Sequence, residues 1–170
     1  VYGLGADFGR MEPASTSPHS TSEHTPGVNY HATSERRRYV DLSPSVRGAA
    51  DVALGSPVVR AAAPVTSGFT RAYAGHVFLE DGREAFLKAT GPELPIPVKA
   101  LRREAQMLAA LGNRIPAVPL IGAGAADDGG EVLALAWVDG HLPGYPWTDE
   151  EIALVRHACE RVAALPSSTL

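Results

Sequence analysis

Cysteine is nearly missing from this chain: Cys159 stands alone among 170 residues. A single thiol excludes an intrachain disulfide framework and fits a reducing compartment, so a cytoplasmic location is expected. A surplus of positive charge is missing too. With 15 Lys and Arg against 19 Asp and Glu, the formal net charge is -4 at pH 7. Nucleic acid and anionic membrane surfaces both call for a clustered positive excess, so neither is an expected partner. The one basic run, Arg36-Arg37-Arg38, reads as a solvated patch. No apolar stretch approaches the length of a membrane span. The opening "VYGLGADFGR" also lacks the charged and apolar regions of a secretory signal, which leaves the expectation of a soluble, unprocessed protein.

What is present suits one ordinary domain, since 45% of residues are hydrophobic and 20% charged. Residues 1–35 stand apart. Their core, "MEPASTSPHSTSEHTPGVNYHATS", is Ser-, Thr-, Pro- and His-rich and offers almost nothing apolar to bury, so a disordered N-terminal arm is expected. His19, His24 and His31 match no standard zinc spacing and no cysteine joins them, so no metal site is assigned. The first methionine is Met11, and a start there would place residues 1 to 10 outside the working protein.

From Arg36 onward the sequence is organised. Ser43 as N-cap, Pro44 at the first helical position and Gly55 past the end predict a helix over 44–54. Strands are expected over 57–65, 73–80 and "EAFLKA", the last two joined at Asp81-Gly82, which gives an antiparallel meander. A helix from Pro97 to Gly112 follows, with Leu101, Ala105, Leu108 and Leu111 at helical spacing. Two further strands, 117–125 and 131–138, flank the turn-rich "ADDGG". The last helix opens on the capping-box pair Thr148 and Glu151, carries the stripe Ile152, Val155, Cys159 and Val162, and ends at Pro166. The expected fold is α+β: a five-stranded antiparallel sheet with a packed helix, preceded by the arm and a short helix.

Lys88 closes the apolar run Ala85-Phe86-Leu87, where a sheet favours a β-branched residue. Glu104, three residues after Leu101 and four before Leu108, projects beside the apolar stripe of its helix. A carboxylate there needs a cation, and Lys88 on the preceding strand is an available one. Ahead of it, "TSGFTRA" offers Gly68, where backbone can approach a phosphate, and the hydroxyls of Ser67 and Thr70.

In "PVTSGFTRAYAGHVFLEDGREAFLKATG", "ALRREAQMLAAL" and "EVLALAWVDG" the chain resembles the N-terminal lobe of the protein-kinase-like fold, and more closely the aminoglycoside phosphotransferase family. The likeness runs from about Arg36 to Pro166. It implies a nucleotide-binding lobe over 36–140, with 141–170 forming the exit from the hinge and the first helix of a truncated second lobe. Lys88 then looks like the lysine that contacts the nucleotide's α and β phosphates, and Glu104 like its helix partner. Ser67, Gly68, Phe69 and Thr70 look like the phosphate-covering loop. Ala136-Trp137-Val138 looks like the hinge, with the Ala136 carbonyl and the Val138 amide facing the adenine edge. The implied partners are ATP or GTP with Mg, none covalently bound, and a small-molecule hydroxyl acceptor held by the second lobe.

The pattern departs from the family at three places. The loop lacks the several glycines of G-x-G-x-x-G, and Phe86 stands where V-A-I-K has alanine. H-x-D-x-x-x-x-N is absent: His141 is followed by Leu142-Pro143 and His157 by Ala158-Cys159. The expectation is a lobe that does not turn over substrate by itself, and that self-associates through lobe surface exposed on residues 133 to 165. Two other readings stay open. One is a non-catalytic nucleotide-binding or interaction module with this lobe fold, and the other an unrelated α+β domain in which Lys88 and Glu104 are a structural pair.

Overall fold

A computed structural model describes residues 35–66, 69–140 and 146–166. The expected arm lies outside the described residues except for its last position, Glu35. After a 3-10 turn at Tyr39–Asp41 come helix α1 (Pro44–Leu54), strands β1 (Val58–Ala61), β2 (Tyr73–Leu79) and β3 (Glu84–Thr90), and helix α2 (Pro95–Leu111). A 3-10 turn at Gly112–Arg114 then leads to β4 (Leu120–Ala125), β5 (Glu131–Ala136) and helix α3 (Asp149–Ala163). The five strands make one antiparallel sheet in the order β1-β2-β3-β5-β4.

Local chemistry sets the boundaries of α1. The Ser43 hydroxyl accepts the Val46 N–H at 3.1 Å, Pro44 supplies the first turn, and Gly55 closes the helix at φ +71°, a conformation open to glycine at little cost. Ser43 also donates to Asp128 in the β4–β5 turn, which ties the helix start to the sheet. Val46, Ala50 and Leu54, one turn apart, carry the buried face. Helix α2 begins at Pro95, two residues before the expected start at Pro97. Both prolines fit because first-turn N–H groups have no intrahelical acceptor to lose.

Period-two alternation sorts the sheet's side chains onto two faces. Tyr73, Val77, Leu79, Ala85, Leu87, Ala89, Val132 and Ala134 pack under α1 with Val46, Ala50 and Leu54 to form the larger core. On the opposite face Leu133 and Leu135 meet Leu101 of α2, with Phe86, Ala105, Leu108 and Leu120 beside them. A sheet covered by one helix was the expectation; helices cover both faces, and the smaller cluster is the one under α2. Close approach of α1 to β4 rests on Gly122, where a Cβ would run into the Ala53 carbonyl.

Strand ends contract relative to expectation where proline or a turn removes ladder bonds. The first strand ends at Ala61, although the Ala62 and Val65 N–H groups still donate to His76 and Ala74 carbonyls. The fourth starts after Pro119, and the fifth ends at Ala136, leaving Trp137 and Val138 outside the ladder. Leu133, Ala134 and Leu135 are buried, so the exposure expected from residue 133 onward does not hold there. It holds in α3, which has no buried residue and exposes Ile152, Leu154, Val155 and Val162. Its capping box forms as expected, with Thr148 accepting from the Glu151 amide and Glu151 accepting from that of Thr148. Among the described residues no helix is long and apolar enough to cross a membrane.

Candidate functional site

Lys88 faces α2 because Leu87 and Ala89, its neighbours on β3, face α1. Across the ladder it lies between Ala74 of β2 and Leu133 of β5. Its Nζ donates to Glu104 Oε1 at 2.7 Å and to Oε2 at 3.0 Å. The side chains are 29% and 37% exposed, so the pair is half-buried. An ion pair this wet contributes only about 0.2–1 kcal/mol to stability, too little to make bracing the fold its main effect. Its stronger effect is directional: two of the three ammonium protons are fixed on the carboxylate, and the third has no protein acceptor among the described residues. Lys88 and Lys99 are the only lysines in the chain, and Lys99 is on the exposed surface of α2.

A second ion pair on this face escaped sequence reasoning. Arg102 donates to Glu131 Oε2 from Nη2 at 2.7 Å and from Nε at 3.2 Å, and Glu131 is only 4% exposed at the start of β5. Nothing in the local pattern of Glu131 announces burial; the signal needed was the register that places it opposite Thr90, on the face that α2 covers.

Of the expected phosphate-covering loop, Ser67 and Gly68 lie outside the described residues. Phe69 is 90% exposed and packs against no core residue. The Thr70 hydroxyl accepts from Arg36 Nη1 at 3.1 Å, and the same nitrogen donates to the Ala72 carbonyl at 2.9 Å. Arg37 and Arg38 are exposed, as expected of a solvated patch, while Arg36 is half-buried. Arg37 reaches Glu93 at 2.6 Å and Arg38 holds both oxygens of Asp41 at 2.9 Å, so each arginine has a structural partner. The chain entering the domain is thereby strapped to the β1–β2 loop.

At the other end of the face, Ala136 and Val138 share a small cavity of about 170 Å³ with Phe86, Val118, Leu135 and Trp137. Phe86, two residues before Lys88, lines this cavity beside the segment expected to form the hinge. The Ala136 N–H donates to the Pro119 carbonyl at 2.9 Å, and Val138 is exposed. The cavity is below the roughly 300–1,000 Å³ usual for small-molecule sites. A roomier hollow of about 470 Å³ lies between the α1 entry and β1, lined by Arg38, Tyr39, Arg47 and residues of β1, but neither Lys88 nor Glu104 lines it. Among the described residues no group of three or more His, Cys, Asp or Glu could hold a metal ion, and the N-terminal histidines lie outside them.

Comparison with known proteins adds little. No family model matches the chain, and no curated protein matches it. Among solved structures, a protein from Thermobifida fusca YX-ER1 described as a fructosamine-3-kinase is similar, with 30% sequence identity over 59% of this chain and 33% of that one, and a TM-score of 0.43. The chain thus spans about a third of that protein's length. At that score the likeness carries no structural argument.

Proposed function

We propose that the chain is the nucleotide-binding lobe of a phosphotransferase that moves the γ-phosphoryl group of ATP or GTP to a hydroxyl of a small molecule. The observation that carries the reading is the Lys88–Glu104 contact, which leaves one ammonium donor open on the sheet face that also bears the hinge. Phosphoryl transfer asks little covalent chemistry of a protein and much positioning of charge. Here Glu104 holds the Lys88 ammonium in place, so that nucleotide phosphates meet an oriented cation whose desolvation is already offset. Ala136 and Val138 receive the base edge. The interval from Leu133, opposite Lys88, to Trp137 is four residues, or roughly 13 Å of strand, on the scale of a nucleotide from base to terminal phosphates.

Mg would neutralise charge on the β and γ phosphates. In this reading its ligands and the acceptor's base come from the second lobe. With no H-x-D-x-x-x-x-N in its sequence, the chain alone binds nucleotide without turnover. The motifs in Lys88's strand, α2 and β5 favour an enzyme of the aminoglycoside phosphotransferase type, acting on a hydroxyl of a small acceptor.

Two lysines make a direct test. A lysine-reactive acylating probe, read by peptide mass spectrometry, modifies both Lys88 and Lys99 in the free chain. Mg-ATP or Mg-GTP protects Lys88 selectively and leaves Lys99 reactive; equal labelling of Lys88 with and without nucleotide contradicts the proposal.

A further inference from the structure

A run of stacked groups crosses the Lys88 face of the sheet. The Arg60 guanidinium lies 3.3 Å over the Phe78 ring. Phe78 and His76 have ring centroids 4.2 Å apart. The His76 imidazole lies flat on the Trp137 indole, with centroids 3.6 Å apart and planes 1° from parallel. The Glu84 carboxylate sits 2.8 Å from His76 Nε2 and fixes the rotation of the imidazole. His76 is paired directly with Phe86, two residues from Lys88 along β3. Trp137 lies just beyond the last ladder residue of β5, between the two residues assigned to the base edge.

This placement gives the stack a task. Past Ala136 the ladder no longer holds the chain, and Val138 is exposed. Trp137, 39% exposed, lays one face on His76 of the sheet. A backbone that must present its carbonyl and amide to a base loses affinity if it has to be ordered at each binding event.

We infer that His76 is a positioning residue for the nucleotide base: by clamping the Trp137 indole it pre-sets the Ala136–Val138 segment. The inference rests on the nucleotide-binding reading above. Within it, His76 touches neither phosphate nor acceptor and acts through Trp137.

The experiment uses a Trp147→Phe background, in which Trp137 is the sole tryptophan, and reads both its emission and the Mg-ATP dissociation constant. His76→Ala weakens Mg-ATP binding about threefold to tenfold, the scale of one aromatic pair, and shifts Trp137 emission toward that of a solvated indole. His76→Phe, which restores a flat ring, recovers both. Lys88→Ala loses binding while Trp137 emission stays unchanged. Should His76→Ala not fold, Trp137→Leu removes the same contact from the other side and shows the same loss of affinity. If His76→Ala binds Mg-ATP as tightly as the parent, the clamp is wrong and the nucleotide reading stands. A flat-ring variant as weak as His76→Ala also overturns it, because stacking is then not the cause. A parent chain that binds neither Mg-ATP nor Mg-GTP removes both.

Discussion

The Lys88 ammonium reaches both carboxylate oxygens of Glu104, at 2.7 Å and 3.0 Å, and so joins the middle strand of the sheet to the helix on its less heavily packed face. The contact is half-exposed, and its effect on stability and its effect on ligand binding can be separated.

Glu104→Ala lowers stability by less than about 1 kcal/mol, as expected of a solvated pair. In the nucleotide reading it also weakens Mg-ATP binding about tenfold, because the ammonium is no longer aimed. Urea unfolding and calorimetric titration on the same variant check the two halves. A large loss of stability with unchanged binding would make the pair structural.

Arg102 and Glu131 respond asymmetrically. Removing Arg102 leaves a carboxylate that is 4% exposed without its cation, so Arg102→Ala costs about 2 kcal/mol. Removing the charge from Glu131 leaves a guanidinium that is already 53% exposed, so Glu131→Gln costs less. The double variant recovers part of the Arg102→Ala loss, and a double-mutant cycle measures the coupling.

Alkaline pH weakens the fold through two phenols. Burial raises Tyr73 from 10.0 to about 12, and burial aided by the nearby Asp51 charge raises Tyr39 to about 12. The unfolded chain releases these protons near pH 10 while the folded chain keeps them until about pH 12. Their contribution is therefore whole below about pH 10 and is lost as pH rises toward about 12. Denaturant midpoints across that window show the fall, and it is shallower in Tyr73→Phe. Near neutral pH that same variant loses little or gains stability, because the buried Tyr73 hydroxyl has no partner among the described residues.

Two glycines of β4 give opposite answers. At Gly122 an added Cβ meets the Ala53 carbonyl, which is backbone and cannot turn aside, so Gly122→Ala costs about 2 kcal/mol or more and loosens α1. Gly124 has nothing within 4 Å of its would-be Cβ, and Gly124→Ala is near neutral. Thermal melts of the two variants side by side check the docking of α1 on the sheet.

Much of this fold is legible in the sequence where local chemistry decides it. Ser43, Pro44 and Gly55 bracket α1, Thr148 and Glu151 open α3, and Asp81-Gly82 turns β2 into β3, each by bonds made within a few residues. What the local pattern does not carry is pairing over distance. That β5 lies between β3 and β4, that α1 covers the larger core, and that Glu131 is buried against Arg102 all follow from packing across more than twenty residues. The Lys88–Glu104 contact was foreseeable because each residue was costly alone and their elements are adjacent. The Arg36–Thr70 and Arg38–Asp41 contacts were not, since a run of arginines on the surface looks the same in sequence whether it is solvated or paired. The His76–Trp137 stack needed the hairpin register and the end of β5 together.

Calorimetric titration of Mg-ATP or Mg-GTP into the chain, into Lys88→Ala and into Lys99→Ala tests the central claim most directly. The account predicts saturable binding by the parent and by Lys99→Ala, with the heat lost in Lys88→Ala while that variant keeps its cooperative melt. Binding that survives intact in a folded Lys88→Ala, or no binding of either Mg-ATP or Mg-GTP by the parent, would contradict it.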